Sequence, residues 1–365
     1  MFSRRAFAGM IAAGLTEAAF AQRAKLSGDA PADTVWINGN EFPEGPPQAS
    51  IDAMARVIGE SNRYHYQEFP AFYAKLAASE GLSADQILVG AGSSEPLHAA
   101  VEAFTSPGVP LIIPMPTYEA APELTRYKGH PVIETPLNSN MAPDVRRLAA
   151  EAGKAGGGLI YIVNPNNPTS TITTSDDMAW LAANLPKNTY VLVDEAYLHY
   201  ATSPEASSSF RFVKEGKNVI VSRTFSKIYG MAGLRVGYIA GRPDLIKRME
   251  PYRNNVISIV SVRAVLAALD LGPRMLEERK AKIVHTRNEL SAWLSEKKFK
   301  FIPPQANFVM IETGRDAKDV QAAMLAKGVA IGRQFPPLNT MIRASIGTDA
   351  EMAKFRRVFT EVMAS

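Results

Sequence analysis

Between residues 86 and 240, short apolar runs recur at intervals, separated by stretches whose apolar positions repeat every three or four residues. The runs at 87–89, 111–113, 132–134, 159–163, 190–193, 219–221 and 236–240 are largely apolar, and several are so throughout. A strand with one wet face alternates apolar and polar residues, whereas a strand covered on both faces does not. Helical spacing fills the gaps at 94–105, 118–127, 142–152 and 175–184. This rhythm predicts an α/β large domain with a mostly parallel seven-stranded sheet flanked by helices. Ligands of such sheets gather at the carboxyl ends of the strands. The residues just past each run are therefore the first place to look for chemistry.

Beyond about residue 255 the pattern changes. A helix-rich stretch runs to about Lys298, followed by short strands at 307–311, 329–331 and 341–345 and a last helix from Asp349. This predicts a smaller α+β domain over 256–365, with 51–255 as the large domain. Residues 22–50 are rich in Pro and Gly and read as an arm joining the small domain. The first 21 residues stand apart: Arg4-Arg5, a mostly apolar run over 6–15, and Ala19-Phe20-Ala21 before Gln22. A charged start, a short apolar run and an A-x-A site predict a signal peptide. The Ser3-Arg4-Arg5-Ala6-Phe7 stretch resembles a twin-arginine export signal and predicts a periplasmic location. The bland alternative is a basic amphipathic helix on a cytoplasmic protein. No segment is long and apolar enough to predict a membrane span.

Composition narrows the chemistry. The 365 residues are 46% hydrophobic, enough for more than one core. Cysteine is absent, which excludes disulfides, thiolate metal sites and cysteine nucleophiles. The five histidines lack H-x-x-x-H spacing, so no metal site is expected. The net charge of +4 is scattered along the chain and predicts no nucleic-acid surface.

The strand ends carry four polar constellations. In "VGAGSSEPLHAAVEAF", Ser93 and Ser94 open a helix, where free N–H groups and hydroxyls can bind a phosphate. An ordinary serine cap would use the same residues. "NPNNPTS" exposes amides, including Asn167, after the 159–163 run. "VDEAY" puts Asp194 after the next strand, with Tyr197 one helical turn on. A carboxylate there can hold a ring nitrogen protonated or simply cap a helix. "RTFSKIYGMAGLR" adds Thr224, Ser226, Lys227 and Arg235. A lysine in a dry setting loses its proton cheaply and can form an imine with a carbonyl. Each feature alone has a structural explanation. Together, an imine lysine, a carboxylate for a pyridinium and a Ser/Thr/Arg phosphate cup are the parts of a pyridoxal 5'-phosphate site.

From "INGNEFPEGPP" to "MIRASIGT" the chain resembles the fold-type-I pyridoxal phosphate aminotransferases of class I/II, and within them the histidinol-phosphate aminotransferase branch. The resemblance implies that Lys227 is the imine lysine and proton shuttle. Asp194 is implied to pair with the pyridine nitrogen, Tyr197 and Asn167 with the ring hydroxyl, and Tyr118 to stack on the ring. Ser93, Ser94, Thr224, Ser226 and Arg235 are implied to form the phosphate cup. Tyr64 resembles a tyrosine that reaches the phosphate of the neighbouring subunit, which implies a homodimer with shared sites. Arg343 resembles the arginine that forks onto a substrate α-carboxylate, and Arg333 a second substrate arginine. The branch usually reads N-E-N-P-Tyr near its start. Here the sequence is Asn40-Glu41-Phe42-Pro43-Glu44. Glu44 thus replaces an aromatic beside the substrate side chain, and it would favour a cationic or polar group there. Ser170 stands where the family has Gly. The expected reaction is ping-pong transamination between an amino donor and a 2-oxo acid acceptor. Histidinol phosphate is the alternative donor, and a lyase, a racemase or a non-catalytic binding protein the alternative reading.

Overall fold

The computed structural model describes residues 30–253 and 256–364. Twelve strands are present among them: β1 (Val35–Trp36), β2 (Ile87–Ala91), β3 (Leu111–Met115), β4 (Val132–Pro136), β5 (Gly158–Val163), β6 (Thr189–Asp194), β7 (Val219–Thr224), β8 (Val236–Ala240), β9 (Phe301–Ile302), β10 (Phe308–Glu312), β11 (Val329–Ala330) and β12 (Met341–Ser345). Seven of them form one sheet in the order β2-β8-β7-β6-β5-β3-β4. Every pairing in it is parallel except those of β8, which runs antiparallel to both β2 and β7.

Alternate residues of these strands enter two separate cores, as the two-residue period of a strand requires. Ile160, Ile162, Val191, Val193, Val219 and Val221 meet helices that include Gln48–Val57, Phe69–Ser79, Val145–Lys154 and Ser175–Ala183. Leu159, Tyr161, Val163, Leu192 and Ile220 meet Ser94–Phe104, Ala120–Tyr127 and Pro243–Met249 on the other face. This double cover explains the unbroken apolar runs of the sequence. Helix starts are marked by side-chain caps: Asp144 accepts the N–H of Arg147 at 3.1 Å, and Thr174 that of Asp177 at 3.1 Å.

The smaller unit holds the antiparallel sheet β12-β10-β9 and the parallel pair β1-β11. The long helix Gly272–Glu296 and the helices Ala317–Ala326 and Asp349–Ala364 cover it. Ile37 and Phe42, from the Pro- and Gly-rich N-terminal segment, sit in this core. The helix Ile259–Asp270 does not: its Val262, Ala264, Val265 and Ala268 pack into the large core. The chain therefore passes to the small unit at the long helix, one helix later than a division at 255 and 256 places it. Composition changes at 255, but apolar faces decide where a helix packs. The expected signal peptide, residues 1–21, lies outside the described residues. None of the helices among the described residues is long and apolar enough to cross a membrane.

The sheet's register assembles one polar edge. Asp194, the last residue of β6, pairs with Val163 and Ser222, and Thr224 at the end of β7 pairs with Gly237. Because β8 runs the other way, its start at Val236 meets Ala91 at the end of β2. Arg235, Ser93, Thr224, Asp194 and the Asn164–Asn167 turn thus converge from five points of the chain.

Candidate active site

The cup comes first in the building order. Gly92 has φ +68°, and a Cβ there would run into the guanidinium of Arg235. A Cβ on Gly237 would strike the backbone at Gly92 and Ser93. Only glycine allows this closeness of β2 and β8. Arg235 itself is held in the left-handed region at φ 54°. It donates to the Ala232 carbonyl at 3.0 Å and to Ser226 Oγ at 3.4 Å. Thr224 Oγ1 donates to Ser226 Oγ at 2.9 Å and accepts the Ser226 N–H at 3.0 Å. Ser93 sits at the cap position of helix Ser94–Phe104, yet its hydroxyl makes no capping bond. The ordinary cap explanation of this serine therefore fails. Ser93, the helix N-terminus and the Arg235 guanidinium come together around Gly92, a set of donors that suits a phosphate.

Asp194 is 2% exposed. Its carboxylate accepts the Ala196 N–H at 3.2 Å and the Tyr161 hydroxyl at 3.4 Å, both neutral donors. Burial pushes its pKa up to about 6. A carboxylate buried this deeply calls for a cationic N–H partner. Tyr197 packs edge-on against Phe308, and its oxygen accepts from Asn40 Nδ2 at 3.2 Å, which leaves its own proton to donate. Arg343 Nη1 donates to Asn167 Oδ1 at 2.7 Å, which leaves the Asn167 amide N–H groups for another acceptor. Tyr118 shares a hydrogen bond with Ser94, and burial raises its hydroxyl to about 12.

Lys227 is half-buried. Its Nζ donates to the Gly39 carbonyl at 3.2 Å and lies 5.4 Å from the centre of the Tyr197 ring. Burial, then the charge of Arg343, brings its pKa down from 10.5 to about 8. The loop around it is pinned from behind, where Arg279 of the long helix donates to the Ile228 carbonyl at 2.6 Å. Acylation of Lys227 in cofactor-free protein is expected to follow a titration with its midpoint near pH 8, read by mass spectrometry. A midpoint at or above pH 10 would show that the pocket does not tune this amine.

Arg343, in β12 opposite Met310, is only 7% exposed. Its Nη2 donates to the Asn38 carbonyl at 2.8 Å, while Nε is buried without a partner. Arg333 pairs with Glu119 at 2.6 Å. Glu44 lies on the surface and pairs with Lys282 at 2.7 Å. Tyr64 is 68% exposed and stacked on Tyr66. The fold thus gathers Ser93, Ser94, Tyr118, Asn167, Asp194, Tyr197, Thr224, Ser226, Lys227, Arg235 and Arg343 into one site. Arg333 stands at its margin, and Glu44 and Tyr64 point to solvent. Ser170 adopts φ 63°, the left-handed form that suits the family's glycine. Its hydroxyl accepts the N–H groups of Gln305 and Ala306 at 3.1 and 2.8 Å, which offsets that cost and ties the two units together.

Sequence reasoning missed Asn38, Asn40, Gly39 and Glu119. The first three act through backbone carbonyls or pairings some 150 to 300 residues apart, which no local pattern shows. Glu119 reads as an ordinary acidic residue at a helix start.

The donor set fits pyridoxal phosphate: a cup for an anion, a buried carboxylate awaiting a ring N–H, donors for a ring oxygen, and an amine of lowered basicity. Residues 32–359 match the family of aminotransferases of class I and II. An aromatic amino acid aminotransferase from Cutibacterium acnes is 32% identical over 323 residues, 87% of this chain and 90% of that protein. A histidinol-phosphate aminotransferase from Moorella thermoacetica is 32% identical over 342 residues, 91% and 86% of the two chains. The structure of histidinol-phosphate aminotransferase from Sinorhizobium meliloti in complex with pyridoxal-5'-phosphate superposes with a TM-score of 0.84 at 27% identity, covering 91% of each chain. The chain belongs to the aminotransferases of class I and II.

Proposed function

We propose that this aminotransferase uses pyridoxal phosphate to move the amino group of an α-amino acid to a 2-oxo acid, with Arg343 gripping the donor's carboxylate. The observation that carries the reading is the Arg343 Nε: a buried donor on a charged group, left without a partner beside the reactive lysine. Such an orphan costs on the order of 1–3 kcal/mol unless a ligand satisfies it. A carboxylate does so by charge-assisted hydrogen bonds.

The bound cofactor supplies a carbonyl that captures amines and a protonated ring that draws electron density from the donor's Cα. The chain's residues do the rest. Ser93, Ser94, Thr224, Ser226 and Arg235 would anchor the phosphate, and Tyr197 and Asn167 the ring oxygen. Asp194 would keep the ring N–H in place. Arg343 orients the donor, and neutral Lys227 Nζ takes the Cα proton and later returns it. The same steps run backwards with the 2-oxo acid.

A second donor class, a phosphorylated amino alcohol, is favoured by the likeness to histidinol-phosphate aminotransferases. It lacks the carboxylate, so its phosphate would take Arg343. Arg343→Lys is expected to raise KM for amino acid donors by ~10–100-fold while the cofactor spectrum stays unchanged. An unchanged KM would sink the reading.

The proposal extends to a homodimer in which Tyr64 of each subunit reaches the other's phosphate site. Ile51, Ile58, Tyr64 and Tyr66 all lie exposed on one short stretch, which supports a covered face there. Export of the folded, loaded enzyme by the twin-arginine-like leader completes it.

A further inference from the structure

Glu119 immediately follows Tyr118 and leads into the helix Ala120–Tyr127 of the large domain. Its carboxylate meets Arg333 Nη2 at 2.6 Å, across the gap to the small domain. Nη1 of the same guanidinium donates to the Gln334 carbonyl at 2.9 Å. Its guanidinium lies 4.3 Å from the centre of the Phe335 ring, and that of Arg343 lies 4.6 Å from the same ring. Two arginines therefore share one aromatic ring at the substrate end of the site. Their states differ. Arg343 keeps a free buried donor, whereas Arg333 already holds an anion. The Glu119 and Arg333 side chains are 30% and 38% exposed, so an entering molecule can reach the pair. Glu119 is also close enough to strengthen proton binding at Arg343.

We propose that Glu119 is a specificity-determining residue: by occupying Arg333 it turns away donors that carry a second anionic group and favours those with uncharged side chains. The inference rests on the reading that Arg343 takes the donor's α-carboxylate. A side-chain carboxylate must displace Glu119 from Arg333 and then lies beside the released carboxylate, a like-charge contact. An uncharged side chain leaves the pair whole and packs on Phe335. Without Glu119, Arg333 becomes a free guanidinium placed to fork onto a second carboxylate.

The test compares loaded wild-type enzyme, Glu119→Gln, Arg333→Gln and the double variant. Each is given L-aspartate, L-glutamate, L-phenylalanine and L-leucine as donors, and kcat/KM is read from the change in the cofactor spectrum. Glu119→Gln is isosteric and partly exposed, and an unchanged cofactor spectrum and melting temperature establish that it folds. The acidic-to-uncharged ratio is expected to rise at least tenfold in Glu119→Gln and to fall back in the double variant. An unchanged or lower ratio in Glu119→Gln overturns the inference. So does an equal rise in Arg333→Gln, since that variant has no guanidinium to offer. Failure of the α-carboxylate reading shows separately, as a KM unmoved by Arg343→Lys for every donor.

Discussion

Lys227→Ala is expected to lose transamination by at least ~10⁴-fold, the upper range for a positioned acid–base group. Burial brings the pKa of its amine down to about 8, so it can give up its proton near neutral pH and act as a base. Its Nζ stands between the Gly39 carbonyl and the Tyr197 ring, with Asp194 and Arg343 near enough to act on its charge. The cup and the Asp194 carboxylate remain in the variant, so cofactor is expected to survive dialysis. Lys227→Arg separates charge from proton exchange. It keeps the positive charge but cannot give up its proton, so it is expected to be as inactive as the alanine variant. Stopped-flow and steady-state rates with any accepted donor measure both. Wild-type rates in either variant would remove Lys227 from the mechanism.

Asp194→Asn is expected to lower kcat/KM by about 10³-fold, the scale of a single preorganised electrostatic contact. The same change is expected to stabilise the cofactor-free protein. Burial raises the folded-state pKa of Asp194 to about 6 from a reference of 3.8, so the protonated form is the one the fold prefers. The favourable contribution is therefore complete below about pH 4 and lost as pH rises through 6. A shift of that size is worth about 1–3 kcal/mol at pH 8. Asparagine keeps an oxygen for the Ala196 N–H and carries no charge. Cofactor-free Asp194→Asn should melt above cofactor-free wild type at pH 8, with the gap closing toward pH 4. A variant less stable at both pH values would show that the carboxylate holds the fold and not the ring. Stability given up for function at one residue is the signature expected of a site built for a ligand.

The large sheet was legible because double burial makes its strands apolar in nearly every position, as in β5, where all six residues are buried. The direction of β8 was not. Its apolar pattern is the same either way, and only the short loop from Thr224 to Val236 forces the turn back. The two-residue strands β1 and β9 carry too few positions for any period to show. Lys227 and Asp194 could be found because each follows a run that is itself easy to see, and Arg235 because it directly precedes one. Arg343 was found through family resemblance; physically, one arginine in a short strand reads as a solvated face. What gives it meaning is the N-terminal segment, whose Asn38 carbonyl comes from 305 residues away. Glu119 stayed hidden for a similar reason: its partner Arg333 lies on the other domain.

The most direct test of the central claim is a single half-reaction. Purified enzyme of residues 22–365, loaded with pyridoxal phosphate, is mixed with an amino donor and no acceptor, and the 2-oxo acid released is counted per active site. Transamination predicts one equivalent, a matching conversion of the cofactor to its amine form, and no further turnover until a 2-oxo acid is added. Continuous product formation without an acceptor, or a cofactor spectrum that no donor changes, would contradict it.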